Sequence, residues 1–307
     1  VLLGATVVGF SLYREAEQAR VEAEEVGSFL ADLMATANPL SEDGRPDLTV
    51  REALDLAARR VDTELADQPS VAASLHLTIG QAYRNLGLHD EAENHFLRAE
   101  DLAVDPARRD RALVGRGEVA LARGDYAAAE SLLTLAVAPD RAPDPEVRVT
   151  ALWNLSRICT DLDRLDEAAN HADGAIAGAA DPTHRVEAVG QLGVVRRAQG
   201  NYAAAESLMA AAVDLARSEL GAAHVLVGQQ SQNLGVVLDE QGRLDEAIAS
   251  HEEALRVYAL AYPPGHPEVA VTLTNLADIE AAQGKHQHPD IGQYANEPFR
   301  AFAKPHC

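Results

Sequence analysis

Cysteine, lysine and aromatic residues are all scarce in this chain. Only two of its 307 residues are cysteines, Cys159 and Cys307, which is too few for a disulfide framework and leaves the redox compartment open. Aromatic residues make up 4%, and the β-branched and aromatic runs typical of strands are nearly absent. Alanine, the best helix-forming residue, is abundant instead. The composition therefore predicts an all-α protein.

Positive charge is also in short supply. The chain has 26 basic and 48 acidic residues, which gives a formal net charge of −22. Such a charge repels phosphate backbones, so we expect no nucleic-acid partner. Both lysines, Lys285 and Lys304, lie close to the C-terminus, whereas all earlier basic residues are arginines. This change of composition marks the C-terminal segment as different from the rest.

No catalytic motif occurs in the sequence. The nearest approach to a zinc-protease pattern, at His251, lacks the second histidine, and neither a phosphate-binding loop nor a nucleophile elbow is found. Gly115 and Gly117 match only part of a dinucleotide-binding fingerprint, with no strand before them. We therefore expect no catalytic residues and no cofactor.

Four residues near the C-terminus could ligate a metal: His286, His288, His306 and Cys307. A His-x-His spacing can chelate an ion, but the sequence does not specify a closed set of four ligands. We interpret these residues as part of an unstructured tail, and we expect no metal site.

The first 68 residues precede the repeated part of the chain. Residues 1–13 carry no charge; they are shorter than the roughly 20 residues that span a bilayer. We interpret them as the C-terminal half of a membrane helix, with a signal-peptide remnant or an ordinary apolar helix start as alternatives. A charged juxtamembrane helix (14–38) and a polar linker (39–48) follow. A leading helix (49–68) then begins with Thr49 as its cap and ends at Pro69.

From residue 69 to 286 one pattern recurs in five full copies and a half copy. Each copy places a small residue in the middle of its first helix: Gly80, Gly117, Ser156, Gly193, Gly235 and Ala277. The turn between the two helices carries Gly87, Gly124, Gly200, Gly242 and Gly284, with Asp163 in the third copy. The second helix carries an alanine at the equivalent position of each full copy: Ala92, Ala129, Ala168, Ala205 and Ala247. We expect the small residues to allow close helix crossings and the turn residues to adopt the left-handed conformation.

These positions resemble the tetratricopeptide repeat family. The resemblance implies antiparallel helix pairs stacked in a right-handed superhelix, each contacting mainly its neighbours. The later copies, 42 residues apart, resemble repeats of the kinesin light chain type. Two residues depart from the pattern: Arg116 stands where the family has an apolar residue before the central glycine, and Cys159 stands where it has a large residue.

The layout of the whole chain resembles the C-terminal half of bacterial membrane-anchored serine/threonine kinases that carry tetratricopeptide sensor regions. No kinase motif is present, so the chain itself is not expected to be an enzyme. The resemblance implies a membrane-anchored sensor or docking region, with the repeats on the extracytoplasmic side favoured. Two alternatives stay open: a free-standing cytoplasmic scaffold, and an enzyme fragment whose repeats self-associate.

The resemblance also implies a protein or peptide ligand, bound in a groove formed by the first helices of the repeats. Its predicted residues are Gln81, Arg84, Asn85, Trp153, Asn154, Arg157, Gln191, Arg197, Gln232, Asn233, Asp239, Asn275 and Asp278. We expect Asn154, Asn233 and Asn275 to point into one cleft, because an amide both donates to and accepts from a peptide backbone. Alternatively these asparagines are solvated or brace neighbouring turns. Trp153 is interpreted as an exposed anchor rather than a core residue.

The C-terminal segment after His286 is not expected to complete the last repeat. Its prolines lack an amide donor and clash with a preceding helical turn, so residues 287–307 are predicted to be irregular. The face formed by Leu273, Leu276 and Ile279 would then be exposed and would promote self-association.

Overall fold

The computed structural model describes Arg20, Gly27 and residues 49–138, 141, 143–263 and 265–283. Between residues 49 and 283 this part of the chain forms twelve α-helices and no β-strand, which confirms the all-α prediction. It divides into two compact units, one ending at Val147 and one beginning at Arg148. The right-handed sense of the superhelix stays a prediction.

Between residues 49 and 138 the described part of the first unit forms five helices: α1 (Val50–Glu64), α2 (Pro69–Asn85), α3 (His89–Leu102), α4 (Pro106–Ala122) and α5 (Tyr126–Ala136). The predicted capping box at the start of α1 is present, since the Thr49 hydroxyl accepts from the Glu52 amide and the Glu52 side chain accepts from the Thr49 amide. Pro69 does not end α1, as the sequence suggested, but begins α2. A proline is well suited to that place because the N–H groups of the first helical turn have no acceptor within the helix, so the lack of one costs nothing.

Up to residue 283, the second unit contains most of α6 (Pro145–Asp161) and six further helices. These are α7 (Leu165–Gly178), α8 (Pro182–Ala198), α9 (Tyr202–Glu219), α10 (Val225–Glu240), α11 (Leu244–Ala261) and α12 (Pro267–Ala282). Helices α6, α8, α10 and α12 are the first helices of successive repeats, and α7, α9 and α11 are the second helices.

The turns within the helix pairs adopt the predicted left-handed conformation. Four of the predicted glycines have φ between 74° and 76°, and Asp163, which replaces glycine in the third copy, has φ of 59°. Aspartate is among the few residues with a side chain that tolerate this region. Gly284 lies outside the described residues.

The small residues of the first helices lie where the two helices of a pair cross. A Cβ added to Gly117 would lie 2.8 Å from the Leu133 side chain, and one added to Gly193 would lie 2.9 Å from that of Met209. The facing alanines of the second helices, such as Ala205 and Ala247, are 0% exposed. The pattern of small residues thus correctly predicted where the helices make close contact.

We expect the Ala205→Leu variant to lose about 1–3 kcal/mol of unfolding free energy, because added methylenes overpack a closed helix crossing. Ala211→Leu on the same helix is the matched control, since Ala211 is exposed and such surface changes usually stay within about 0.5 kcal/mol. Urea denaturation followed by circular dichroism measures both. Equal stability of the two variants would show that Ala205 does not lie at a tight crossing.

Both departures from the repeat pattern have a structural explanation. Arg116 donates to Glu93 Oε1 (2.9 Å) and to Glu100 Oε2 (2.7 Å) on α3, so an ion triad replaces apolar packing between α4 and α3. Cys159 is fully buried, and Arg164 Nη2 donates to its sulfur at 3.0 Å. A charged or smaller residue is tolerated at these positions because its polar atoms have partners nearby.

The prediction that Leu273, Leu276 and Ile279 form an exposed face is wrong. Leu273 and Leu276 pack with Tyr258 of α11, and Ile279 packs with Leu238 of α10. All three are at most 5% exposed. The apolar face of α12 therefore packs against the preceding repeat.

The predictions for 1–13, 39–48 and 287–307 lie outside the described residues. So does that for 14–38, apart from Arg20 and Gly27, which are helical and exposed. Among the helices that the structure describes, none combines the length and the hydropathy needed to cross a membrane.

Candidate functional site

A cavity of about 330 Å³ opens in the second unit, where the first helices of the repeats lie side by side. It is lined from α6, α8, α10, α11 and α12. Five of the lining residues belong to the predicted groove: Trp153, Arg157, Gln191, Gln232 and Asn233. The others are Glu187, Gly190, Val194, Gln229, Gln230, Tyr258 and Glu268.

Carboxamide side chains dominate this wall. Four of them, Gln229, Gln230, Gln232 and Asn233, lie within a single stretch of α10, and Gln191 of α8 is the fifth. Residues three and four apart share one face of a helix, so Gln229, Gln232 and Asn233 project to the same side. Each carboxamide carries both donors and an acceptor, which makes the cavity able to bond a ligand of mixed polarity.

Gln232 is held in one orientation by two hydroxyl groups. Its Oε1 lies 3.0 Å from the Tyr258 hydroxyl and 2.8 Å from the Thr272 hydroxyl, whose single proton is shared with the Glu268 carbonyl oxygen 2.7 Å away. Tyr258 is fully buried, and burial, with the nearby charge of Glu268, raises the pKa of its phenol. The phenol therefore stays a neutral donor, and the Gln232 amide NH₂ is the end that is left to donate to a ligand.

Gln230 occupies space that exists only because residue 190 is a glycine. A Cβ at Gly190 would lie 2.1 Å from Gln230 Oε1. Gln230 is 5% exposed, and its Oε1 has no hydrogen-bond partner within the described structure. A buried acceptor without a donor is unfavourable, so this oxygen gains from any ligand N–H that can reach it.

Trp153 and Arg157 form the α6 side of the cavity. The Arg157 guanidinium carbon lies 4.8 Å from the centroid of the Trp153 ring, a cation–π distance. Arg157 Nη1 also donates to Asn154 Oδ1 at 3.3 Å. The indole is half-buried at the cavity wall, so it is neither a core residue nor a fully exposed anchor.

The prediction that Asn154 points into the cleft is wrong. Asn154 is 1% exposed, its Nδ2 donates to the Thr150 carbonyl oxygen of its own helix at 3.0 Å, and it does not line the cavity. Because the short amide is satisfied within α6, it can be buried beside the helix backbone. Of the three asparagines predicted to share one cleft, only Asn233 lines this cavity.

The remaining predicted residues of the second unit lie away from the cavity wall. Arg197 pairs with Glu240 at 2.7 Å, Asn275 is half-buried, and Asp239 and Asp278 are exposed.

The three predicted residues of the first unit make contacts of their own. Gln81 Nε2 donates to Asn85 Oδ1 at 2.9 Å, and Arg84 pairs with Glu118 at 3.3 Å.

The sequence analysis missed seven of the lining residues. The clearest signal for them was Gly190, a second glycine in the same helix as Gly193, which the repeat pattern does not require. A helical glycine without a role in the pattern suggests a close approach by another group. No comparable signal marked Tyr258 or Glu268. Tyr258 lies on a second helix, whereas the groove was predicted from first helices, and Glu268 lies in the first turn of α12.

No group of three His, Cys, Asp or Glu side chains that could hold a metal ion occurs among the described residues. The four tail residues considered as ligands lie outside this part of the chain.

Comparison with protein families identifies the repeats. Two family models, both described as tetratricopeptide repeat, match this chain, one at residues 77–147 and the other at 184–259 and 229–288. Together these matches cover more than half of the 307 residues.

The chain is similar in sequence to a plant protein. The Arabidopsis thaliana protein KINESIN LIGHT CHAIN-RELATED 2 is 24% identical over 226 residues, which cover 69% of this chain. The chain spans only 34% of that relative's length.

Two solved structures show the fold. BtubC (BKLC) from P. vanneervenii has a TM-score of 0.53 and 21% identity, covering 78% of this chain and 92% of its own. A tetratricopeptide repeat protein from Parabacteroides merdae has a TM-score of 0.57 and 13% identity, covering 91% and 97%.

Proposed function

Because this chain belongs to the tetratricopeptide repeat family, a fold of protein-binding scaffolds, we propose that its second unit binds an extended segment of another protein in the amide-lined cavity. The observation that carries this proposal is the convergence of five carboxamides on one cavity. An extended peptide presents a donor and an acceptor at every residue. Carboxamides match both, so they can hold a backbone whatever its side chains are.

The fixed orientation of Gln232 supports this proposal. Side chains that are already held in place lose less conformational entropy when a ligand binds. The Gln232 NH₂ group is pre-oriented by Tyr258 and Thr272, so it can donate to a peptide carbonyl oxygen without rearranging. Trp153 adds a flat apolar surface at the edge of the cavity, of the kind that anchors interfaces.

Trp153 offers a direct test because it is the chain's only tryptophan. An array of blocked peptides identifies binders, and the strongest binder is titrated while Trp153 fluorescence is followed. We expect Gln229→Ala and Asn233→Ala each to weaken binding about three- to tenfold, the effect of losing a hydrogen bond of about 1 kcal/mol.

Asn170→Ala is the matched control, since Asn170 is an exposed amide on α7 that does not line the cavity. Its affinity should equal that of the unmodified protein, and all variants should keep the same melting temperature. If Asn170→Ala weakened binding as much as the cavity variants, the ligand would lie elsewhere.

We also propose, from the layout of residues 1–48, that the repeat region serves as the extracytoplasmic sensor or docking part of a membrane-anchored kinase. The supporting observation is the uncharged stretch of 1–13 followed by the charged stretch of 14–38. Sequencing upstream of Val1 and fractionating the source cells test it. A short soluble reading frame without a kinase region would instead support a free-standing cytoplasmic scaffold.

A further inference from the structure

We propose that the cavity of the second unit selects a segment with a basic side chain, arginine or lysine. This proposal rests on the proposed role of the cavity as a peptide site. The first observation is its charge. Glu187 of α8 and Glu268 of α12 line the cavity together with one cation, Arg157. Arg157 already stacks on Trp153 and donates to Asn154. The lining therefore carries a net charge of about −1 (two carboxylates, one guanidinium at neutral pH).

The second observation is the unpaired acceptor at Gln230. Its Oε1 is buried against Gly190 without a donor. The terminal torsion of a glutamine has broad, roughly two-fold minima, so the carboxamide can turn its oxygen towards the cavity when a ligand supplies an N–H. Ammonium and guanidinium groups consist of donors only. They suit an acceptor that the protein itself leaves unsatisfied.

The donors of the cavity fit the rest of such a segment. The Gln232 NH₂ and the Arg157 guanidinium cannot bond to a basic side chain, because neither partner would accept. They can bond to the carbonyl oxygens of the peptide backbone on either side of it. The same cavity thus contains acceptors for the side chain and donors for the backbone. An acidic side chain carries no donor, so it would leave those acceptors unsatisfied.

The field of the whole protein favours the same class of ligand. With a formal net charge of −22, the chain attracts basic segments and repels acidic ones before contact is made. This long-range attraction weakens as salt shortens the screening length. Contacts inside the cavity are screened less, so part of the preference should persist at high salt.

The test uses the full chain and four blocked heptapeptides of sequence Ala-Ala-Ser-X-Ser-Ala-Ala, in which X is arginine, lysine, norleucine or glutamate. Affinities are measured by Trp153 fluorescence and by calorimetry, at low and at high salt. We expect the arginine and lysine peptides to bind roughly three- to thirtyfold more tightly than the norleucine peptide, the range for a partly buried ion pair. The glutamate peptide should bind most weakly.

Two variants assign that preference to the cavity. Glu268→Gln should lower the affinity for the arginine peptide and leave that for the norleucine peptide unchanged. Glu167→Gln is the matched control, because it removes the same charge from the first turn of α7, as Glu268 lies in the first turn of α12, and Glu167 does not line the cavity.

Gln230→Met separates recognition from packing. It keeps the shape of the side chain but removes the unpaired acceptor, so it should leave the melting temperature unchanged or raise it while it reduces the preference for arginine. Loss of both stability and binding would mean that Gln230 only supports the fold, and would overturn its part in the proposal.

The outcomes separate the two proposals. Equal affinity for all four peptides, lost on Gln229→Ala, would overturn the preference for a basic residue and leave peptide binding intact. Tighter binding of the glutamate peptide would also overturn it. A lack of response to every peptide, by fluorescence and by calorimetry, would contradict both proposals.

Discussion

Replacement of Tyr258 by alanine is expected to lower the unfolding free energy of the second unit by about 3–5 kcal/mol, the usual cost of removing a buried aromatic ring. The ring is 0% exposed and packs in one cluster with Leu273 and Leu276. A Cβ at Gly228 of α10 would lie 2.7 Å from the ring. Because helices meet the ring from several directions, they cannot close the space that its removal leaves.

Tyr258→Phe provides the control for this experiment. It keeps the ring but removes the hydroxyl that bonds to Gln232 Oε1, and should cost only about 1 kcal/mol. Urea denaturation is followed by Trp153 fluorescence, because Trp153 and Tyr258 both lie in the second unit. If the alanine and phenylalanine variants were equally stable, the ring would contribute no packing and this part of the core would be misplaced.

Acidification from pH 6.5 to pH 4 is expected to destabilise the second unit through His251. The side chain is 0% exposed, its ring lies against Gly235, and both ring nitrogens are without a hydrogen-bond partner within the described structure. Burial lowers the pKa of His251 from 6.5 to about 4. A difference of this size between the folded and unfolded chains corresponds to about 3 kcal/mol.

The direction follows from which state takes up the proton. As pH falls, the unfolded chain binds a proton at His251 near pH 6.5, but the folded chain binds it only near pH 4. Between these values acid therefore favours the unfolded state. The stability that comes from a neutral His251 is complete above pH 6.5, decreases steadily below it, and is lost once pH falls through 4.

The His251→Leu variant isolates this effect from the many carboxylates, which titrate equally in both proteins. Unfolding free energies are measured between pH 7 and pH 4 by Trp153 fluorescence. We expect the difference between variant and unmodified protein to shift by about 2–3 kcal/mol in favour of leucine as pH falls. Parallel pH profiles would show that His251 is accessible to water in the folded state.

The first unit has acid-sensitive histidines of its own, so the choice of probe matters. The Nδ1 atoms of His76 and His95 lie 2.9 Å apart, and burial, together with the charge of His76, lowers the pKa of His95 to about 4. Trp153 belongs to the second unit, as His251 does, so its fluorescence is the probe closest to His251.

The helix pairs were predictable because each depends on short-range geometry that repeats. Gly193 and Ala205 lie a fixed number of residues apart, so their spacing alone indicates where two helices of one pair cross. Asp163 could be placed in the left-handed region for the same reason, since its position in the turn matches that of the glycines. The prediction that Pro69 ends the leading helix was wrong, because proline is found both after a helix and in the first turn of the next one.

The candidate site was predicted only in part. Trp153, Gln191 and Asn233 line the cavity, as the resemblance implied, because the inner face of a first helix follows from its register. Asn154 has the same register as Asn233 and is nevertheless buried. The register gives the direction in which a side chain leaves its helix, but not which neighbouring atoms cover it.

By itself the sequence determined the helical class, the boundaries of most helix pairs and the small residues at their crossings, because these depend on contacts within one repeat. The tertiary structure alone decided how residues from five helices combine into one cavity. Gln230 lies over Gly190, 40 residues away in sequence, and Tyr258 and Thr272 from two other helices orient Gln232. Such contacts depend on the stacking of successive repeats, which the sequence of a single repeat does not specify.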